Sequence, residues 1–219
     1  KVDRNEWTDD YWLRGQPTND ITAGSINSET GFVQTYWVDL YKGIARANVI
    51  VKELAEGEGN ISPALRARVE GEARFLRAYF YSILITHYGD VVFYTENPTL
   101  DQAYEFERTD AGEIRQFVYA ELDAAAALLP ESYSSSELKR ATKSAALGIK
   151  ARTALYLGDY AIARDAAKQV IDLNIHQLHP SYEELFLPLH GAHQGANAAV
   201  ALEAVTRFLP AQEIERSAV

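Results

Sequence analysis

The residues best suited to chemistry in this chain are its histidines. Four of the five, His176, His179, His190 and His193, crowd into one late stretch. They form two His-x-x-His pairs, a spacing that offers imidazoles from consecutive helical turns, and neutral imidazole is a common metal ligand. Pro180 and Pro188 break both pairs out of any long helix. No His-Glu-x-x-His pattern or flanking carboxylate set completes a catalytic zinc site. The reading is loop histidines, with a metal site on these four and a metal-dependent hydrolase as the alternative. Cysteine is absent, which removes thiol nucleophiles, disulfides and thiolate metal ligands at once. A Gly-x-Ser-x-Gly elbow, a phosphate-binding loop with its lysine and a dinucleotide fingerprint are all missing. Carboxylates abound, but nothing pairs two of them for glycoside hydrolysis. The expectation is a binding protein without a cofactor that breaks no bond.

Aromatic side chains offer a different chemistry. The chain has Trp 3, Tyr 13 and Phe 8. A sugar presents C–H groups on one ring face and hydroxyls at its edge. A flat indole or phenol covers the first while amides, carboxylates or guanidinium groups bond the second. Most of the tyrosines recur at helical spacing and read as packing residues. Trp7, Tyr11 and Trp12 instead sit in a loop-rich segment, residues 1–31, beside Arg14, Gln16, Asn19 and Asp20. That cluster is the candidate sugar-binding surface; a hydrophobic cap over the first helices is the other reading.

The 219 residues carry 21 Lys+Arg against 31 Asp+Glu, a formal net charge of −10. Such a surface repels phosphate backbones and anionic headgroups, which disfavours nucleic acid as a partner. Lys1–Asp10 is polar and charged rather than signal-like, and the apolar stretch around Ala78–Ile85 is far shorter than the ~18 residues of a membrane span. Methionine is absent even at position 1, which points to a processed or excised segment and a mature chain or ectodomain.

The elements that would position these residues are helical. Trp37, Leu40, Tyr41, Ile44, Ala47, Val51 and Leu54 recur at spacings of three and four, predicting a helix over 32–55. Ser62 and Pro63 open a second, with Leu65, Val69, Leu76, Tyr79, Phe80 and Ile83 on its expected buried face, ending at Tyr88-Gly89-Asp90. Val91–Tyr94 reads as a short extended run. Thr109-Asp110 can cap a third helix with Ile114, Phe117, Val118, Leu122, Ala125 and Leu129 inward, ended by Pro130. Ser134–Ser136 reads as a flexible link. Two last helices, 145–156 and 160–173, hinge at Leu157-Gly158-Asp159. Their small residues, Ala145, Ala146, Gly148, Ala151, Ala154, Ala163, Ala166 and Ala167, match a tetratricopeptide-type hairpin, with Tyr156 and Tyr160 expected to fill larger gaps. A lone hairpin of this kind cannot bury its faces, so the earlier helices must stack on it.

Four stretches, in order, resemble the SusD/RagB family of outer-membrane glycan-capture lipoproteins: Trp37-x-x-Leu-Tyr-x-x-Ile-x-x-Ala-Asn48; Gly71-Glu-Ala-Arg-Phe-Leu-Arg-Ala-Tyr79 running into Tyr88-Gly-Asp-Val91; Arg108-Thr109 with Glu121-Leu-Asp123 and Ala127-Leu-Leu-Pro130; and Arg140-Ala-Thr142, the hairpin to Ile171 and Tyr182-x-x-Leu-Phe186. The likeness covers residues 32–187. Glu72, Arg74 and Arg77 then read as paired charges locking neighbouring helices, and Asn48 as satisfying backbone groups between them.

The resemblance implies an all-α fold of tetratricopeptide-like helical hairpins with long N- and C-terminal loops. The segments are a loop-rich 1–31, the helical scaffold 32–187 and an irregular 188–219. It implies a cell-surface protein of a Bacteroidetes-type outer membrane, held by a lipid anchor that this chain does not contain. Such a protein captures an oligosaccharide and passes it to a TonB-dependent SusC-like transporter, with ligand contacts from loops that include the N-terminal ones: here Trp7, Tyr11, Trp12, Arg14, Asn19 and Asp20. The rival reading is a tetratricopeptide-type adaptor that binds protein or peptide and no sugar.

Overall fold

Helix α1 (Gly31–Ala55) follows the apolar rhythm of its sequence: Leu40, Ile44 and Ala47 are buried, while Val38, Val49 and Ile50 face solvent. The computed structural model describes residues 24–27, 29–57 and 61–175. The chain divides into two compact units, 1–42 and 43–219, with the boundary inside α1. In the first, a turn leads into the helix: the Asn27 amide donates to Thr30 Oγ1 (3.0 Å) and the Glu29 amide to Asn27 Oδ1 (2.8 Å). The expected Trp37 and Tyr41 neighbours lie there with ring centroids 5.0 Å apart.

The second unit is built around helix α2 (Pro63–Tyr88). Ser62 caps it, its hydroxyl accepting from the Leu65 amide, and proline occupies the first turn where no N–H is needed. The Arg66 guanidinium reaches the carbonyl of Leu54 at the end of α1, which also accepts from the Gly57 amide. The face α2 buries differs from the one its large apolar residues predict. Of the expected residues Ile83 is buried, Val69, Tyr79 and Phe80 are half-buried, and Leu65 and Leu76 are exposed, whereas Gly71, Ala73, Arg77, Ala78, Tyr81 and Leu84 are buried. Close approach explains the inversion: a methyl on Gly71 would lie 3.0 Å from Leu128 Cβ and Leu129 Cγ. Small residues admit the neighbouring helix, and a buried ion pair occupies the space a leucine would otherwise take.

Gly89 ends α2 at φ 72°, a backbone region glycine enters without a Cβ penalty, and its amide bonds Ile85 O. The next residue then links two elements. Asp90 Oδ1 accepts from the Ala111 amide (2.9 Å), supporting the start of helix α4 (Ala111–Leu128) beside its own cap Asp110. Between them, β1 (Val91–Val92) pairs antiparallel with β2 (Arg108–Thr109). A six-residue helix absent from the sequence-based expectations, α3 (Leu100–Glu105), is held by a reciprocal Thr99–Gln102 capping box. Helix α4 packs on α2 and buries Ile114, Val118, Leu122, Ala125 and Leu129 as expected, together with the unanticipated Tyr119 and Glu121.

Ser134–Ser136 is no loose link, because the segment around it is tied back to α2. Arg68 pairs with Glu137 (3.1 Å), Arg140 with Glu72 (2.9 Å), and Tyr133 donates to the same Glu72 (3.3 Å). Helices α5 (Lys143–Tyr156) and α6 (Tyr160–Ile175) complete the described fold, with α5 packed on both α4 and α6. Their turn is a full Schellman closure: the Asp159 amide bonds Ala154 O (2.8 Å), the Gly158 amide bonds Leu155 O (3.3 Å), and Gly158 sits at φ 82°. Ala151, Ala166 and Ala167 form the contact between the two helices, with Ile171 against them. Tyr156 and Tyr160 do not fill gaps here; both are exposed, since alanine-to-alanine packing leaves no gap to fill. The all-α hairpin architecture is thus the one expected. The terminal loops of that expectation lie outside the described residues.

Helix α4 also grips the α5–α6 turn. Tyr119 donates to Asp159 Oδ2 (2.9 Å), and Arg115 Nε lies 3.3 Å from the same oxygen. Burial first, then the hydrogen bond and charge of Asp159, push the Tyr119 hydroxyl above its ordinary value of 10. A pKa raised on folding means the fold favours the neutral phenol. That contribution is complete below about pH 10 and drains as pH rises toward the folded-state value. In denaturant titrations, the stability advantage of the native chain over Tyr119→Phe is expected to be about 1 kcal/mol at pH 7 and to shrink steadily above about pH 10. A gap constant to about pH 12 would contradict it.

Candidate functional site

The geometry concentrates on the segment that follows β1. Arg77 of α2 is 4% exposed, and its Nε and Nη2 donate to Glu121 Oε2 at 2.9 and 2.5 Å. Glu121 Oε1 accepts from Arg74 Nη1 (2.6 Å), and Arg74 is bonded in turn by Glu70. One carboxylate on α4 therefore takes two guanidinium groups from α2, which is how a buried charge avoids an uncompensated desolvation penalty. The third donor of Arg77, Nη1, turns the network outward to Asn48 Oδ1 (3.0 Å) and Thr95 O (3.4 Å). Its guanidinium also lies 5.4 Å over the Phe117 ring.

Residues 93–98 are pinned by this network. Asn48 Nδ2 donates to Asn97 Oδ1 (3.3 Å), and Asn97 Nδ2 donates to Ala45 O (3.0 Å). Asn48 thus meets side chains rather than the backbone groups expected for it, and Asn97 makes the bond to the backbone. The Tyr81 hydroxyl donates to Tyr94 O (2.7 Å) and accepts from the Tyr94 amide (3.0 Å). Phe93 turns inward, packing edge-on to Tyr81 and Phe117 at 5.1 and 4.9 Å. Tyr94 turns the other way and stacks on Phe106, with centroids 5.7 Å apart and planes 17° from parallel.

The result is an open cleft of about 510 Å³ between the 93–98 loop and α3, lined by Tyr94, Glu96, Asn97, Gln102, Glu105 and Phe106 among others. That volume is within the ~300–1,000 Å³ of small-molecule sites. The sequence-based expectations do not include this stretch, although aromatic, amide and acidic residues alternate through it as they do in residues 1–31.

Trp7, Tyr11, Trp12, Arg14, Asn19 and Asp20, the expected sugar contacts, lie outside the described residues, as do His176, His179, His190 and His193. Among the described residues no group of three or more His, Asp or Glu side chains could hold a metal ion. No described helix is long and apolar enough to cross a membrane.

Residues 3–157 match the family model SusD-like, described as starch-binding and associating with the outer membrane. The chain belongs to the SusD-like family. A SusD-like protein of Formosa agariphila is 29% identical over 156 residues, which is 71% of this chain and 29% of that protein. The crystal structure of a SusD-like protein from Bacteroides fragilis superposes with a TM-score of 0.65 at 28% identity, over 70% of this chain and 30% of the other. Surface glycan-binding protein A from Bacteroides uniformis gives a TM-score of 0.57 at 29% identity, covering 68% and 33%. The chain therefore spans about three-tenths of the length of these relatives.

Several motif residues behind the resemblance do identifiable physical work in this SusD-like chain, while Tyr182-x-x-Leu-Phe186 lies outside the described residues. Arg74 and Arg77 bind Glu121, and Glu72 anchors Arg140 and Tyr133. Gly89 reverses the chain, and Asp90 bonds the next long helix. Trp37 stacks near Tyr41, and Asn48 carries the Arg77 network to the 93–98 loop.

Proposed function

We propose that this chain serves glycan capture at the outer face of the outer membrane. It holds an oligosaccharide by non-covalent contacts and hands it, unaltered, to a TonB-dependent SusC-like transporter. The observation that carries the reading is membership of a family described as starch-binding and associated with the outer membrane; a relative named as a surface glycan-binding protein adds to it. The described architecture suits such capture, because rigid helical hairpins present loops and an aromatic-polar cleft opens on one of them. Trp7, Tyr11 and Trp12, with Arg14, Asn19 and Asp20, are the proposed sugar contacts of the N-terminal segment. A lipid anchor holds the protein at the surface.

Affinity electrophoresis in gels containing neutral polysaccharides tests the capture. The chain is expected to be retarded by at least one of them. Trp7→Ala or Trp12→Ala should weaken that retardation about tenfold, the scale of losing one stacked aromatic anchor. Isolation from native cells should bring down a large outer-membrane barrel protein. Free migration through every polysaccharide, with a soluble protein as the recovered partner, would favour the adaptor reading instead.

A further inference from the structure

Helix α3 contributes no buried side chain, with Leu100 72% and Tyr104 83% exposed. It is nevertheless fixed at both ends, by the Thr99–Gln102 box and by Phe106, which stacks on Tyr94 just before the β2 bridge. An element that is held in place without packing a core is positioned for what it faces, and α3 faces the cleft.

We propose that the cleft between the 93–98 loop and α3 is a subsite for an uncharged glycan, a sugar ring lying against the Tyr94–Phe106 pair while its hydroxyls donate to Glu96 and Glu105. The subsite rests on the glycan-capture reading and assigns it a ligand class and residues other than those of the N-terminal cluster. Phe106 is 37% exposed, so its stacked pair offers apolar surface to the C–H face of a pyranose. Of the cleft amides, Asn97 holds α1 and Gln102 closes the capping box through its Oε1, which leaves the Gln102 Nε2 donors for a sugar oxygen. Acceptance from sugar hydroxyls falls to the carboxylates, and among the described residues neither the Glu96 nor the Glu105 side chain has a hydrogen-bond or ion-pair partner. Two carboxylates with no counter-charge among the described residues, on a chain of net charge −10, accept hydrogen bonds from hydroxyls and repel uronate or sulfate groups. The loop is pre-ordered by Tyr81, Arg77 and Asn48, so little conformational freedom remains to be lost on binding.

The test compares the full chain with Phe106→Ala and with the double variant Glu96→Gln/Glu105→Gln. Affinity gels carry laminarin, soluble starch or galactomannan as neutral glycans and alginate or polygalacturonate as anionic ones. The native chain should be retarded by a neutral polysaccharide and pass freely through the anionic ones. Phe106→Ala should bind about tenfold more weakly, and the double variant, at an unchanged thermal midpoint, about three- to tenfold more weakly. Glu96 and Glu105 are exposed, so the double variant decides the matter even if Phe106→Ala loosens its loop. Native-like binding by both, with Trp7→Ala binding lost, overturns the subsite and leaves capture standing. Preferential binding of alginate or polygalacturonate overturns the assigned ligand class. A native chain that binds no polysaccharide overturns both readings.

Discussion

Glu121→Ala is expected to lower the free energy of unfolding by about 3–5 kcal/mol, measured by urea titration. The carboxylate is nearly buried and holds Arg77 through two bonds and Arg74 through one. Removing it leaves the Arg77 cation among apolar side chains, with Asn48 and Thr95 O as its remaining partners. The penalty is that of an uncompensated buried charge rather than the net worth of the pair, and against a typical stability of ~5–15 kcal/mol it is large. A control separates the two quantities. The double variant Arg77→Met/Glu121→Leu removes both charges and fills the space, so it should be more stable than Glu121→Ala alone. If the single variant unfolds at the native urea midpoint, Glu121 does not hold α2 to α4.

Tyr81→Ala is expected to cost a similar ~3–5 kcal/mol, and Tyr81→Phe about 1–3. Tyr81 is fully buried, and its ring packs edge-on against both Phe93 and Phe117. Alanine empties that site and leaves a cavity the surrounding helices close incompletely. Phenylalanine keeps the ring and deletes the hydroxyl that bonds Tyr94 at both amide and carbonyl. The two variants should therefore differ in where protection is lost. In hydrogen exchange, Tyr81→Phe should release the Tyr94 amide while α2 and α4 stay protected, whereas Tyr81→Ala should lower protection across both helices. Identical exchange maps would mean that the hydroxyl does not anchor the loop.

Much of the fold was legible because large apolar residues mark a helix face. Leu40, Ile44 and Ala47 on α1 and Ile114, Val118 and Leu122 on α4 are buried as their spacing requires. Ser62, Pro63 and Asp110 mark helix starts for reasons local to each turn. The earlier turns of helix α2 misled the same logic, since they bury Gly71, Ala73 and Arg77 while Leu65 and Leu76 face water; its last turns bury Ile83, Leu84 and Ile85. Pairing of Arg74 and Arg77 was foreseeable from their charge amid apolar neighbours. Their partner was not, because Glu121 sits more than forty positions away in sequence and only the α2–α4 contact brings it near. Helix α3 left no apolar stripe to read, having no buried residue, and the cleft it borders went unseen with it.

The tight reversal at Gly158 has a kinetic corollary. Joining α5 to α6 through three residues makes their mutual contacts local along the chain, and the entropy of closing so short a connection is small. This pair can zip together on the microsecond scale, whereas α2 and α4 must first bring in the whole excursion from Gly89 to Asp110. The alanine-rich hairpin is thereby the natural early-forming piece, against which the slower, charge-bolted pair settles.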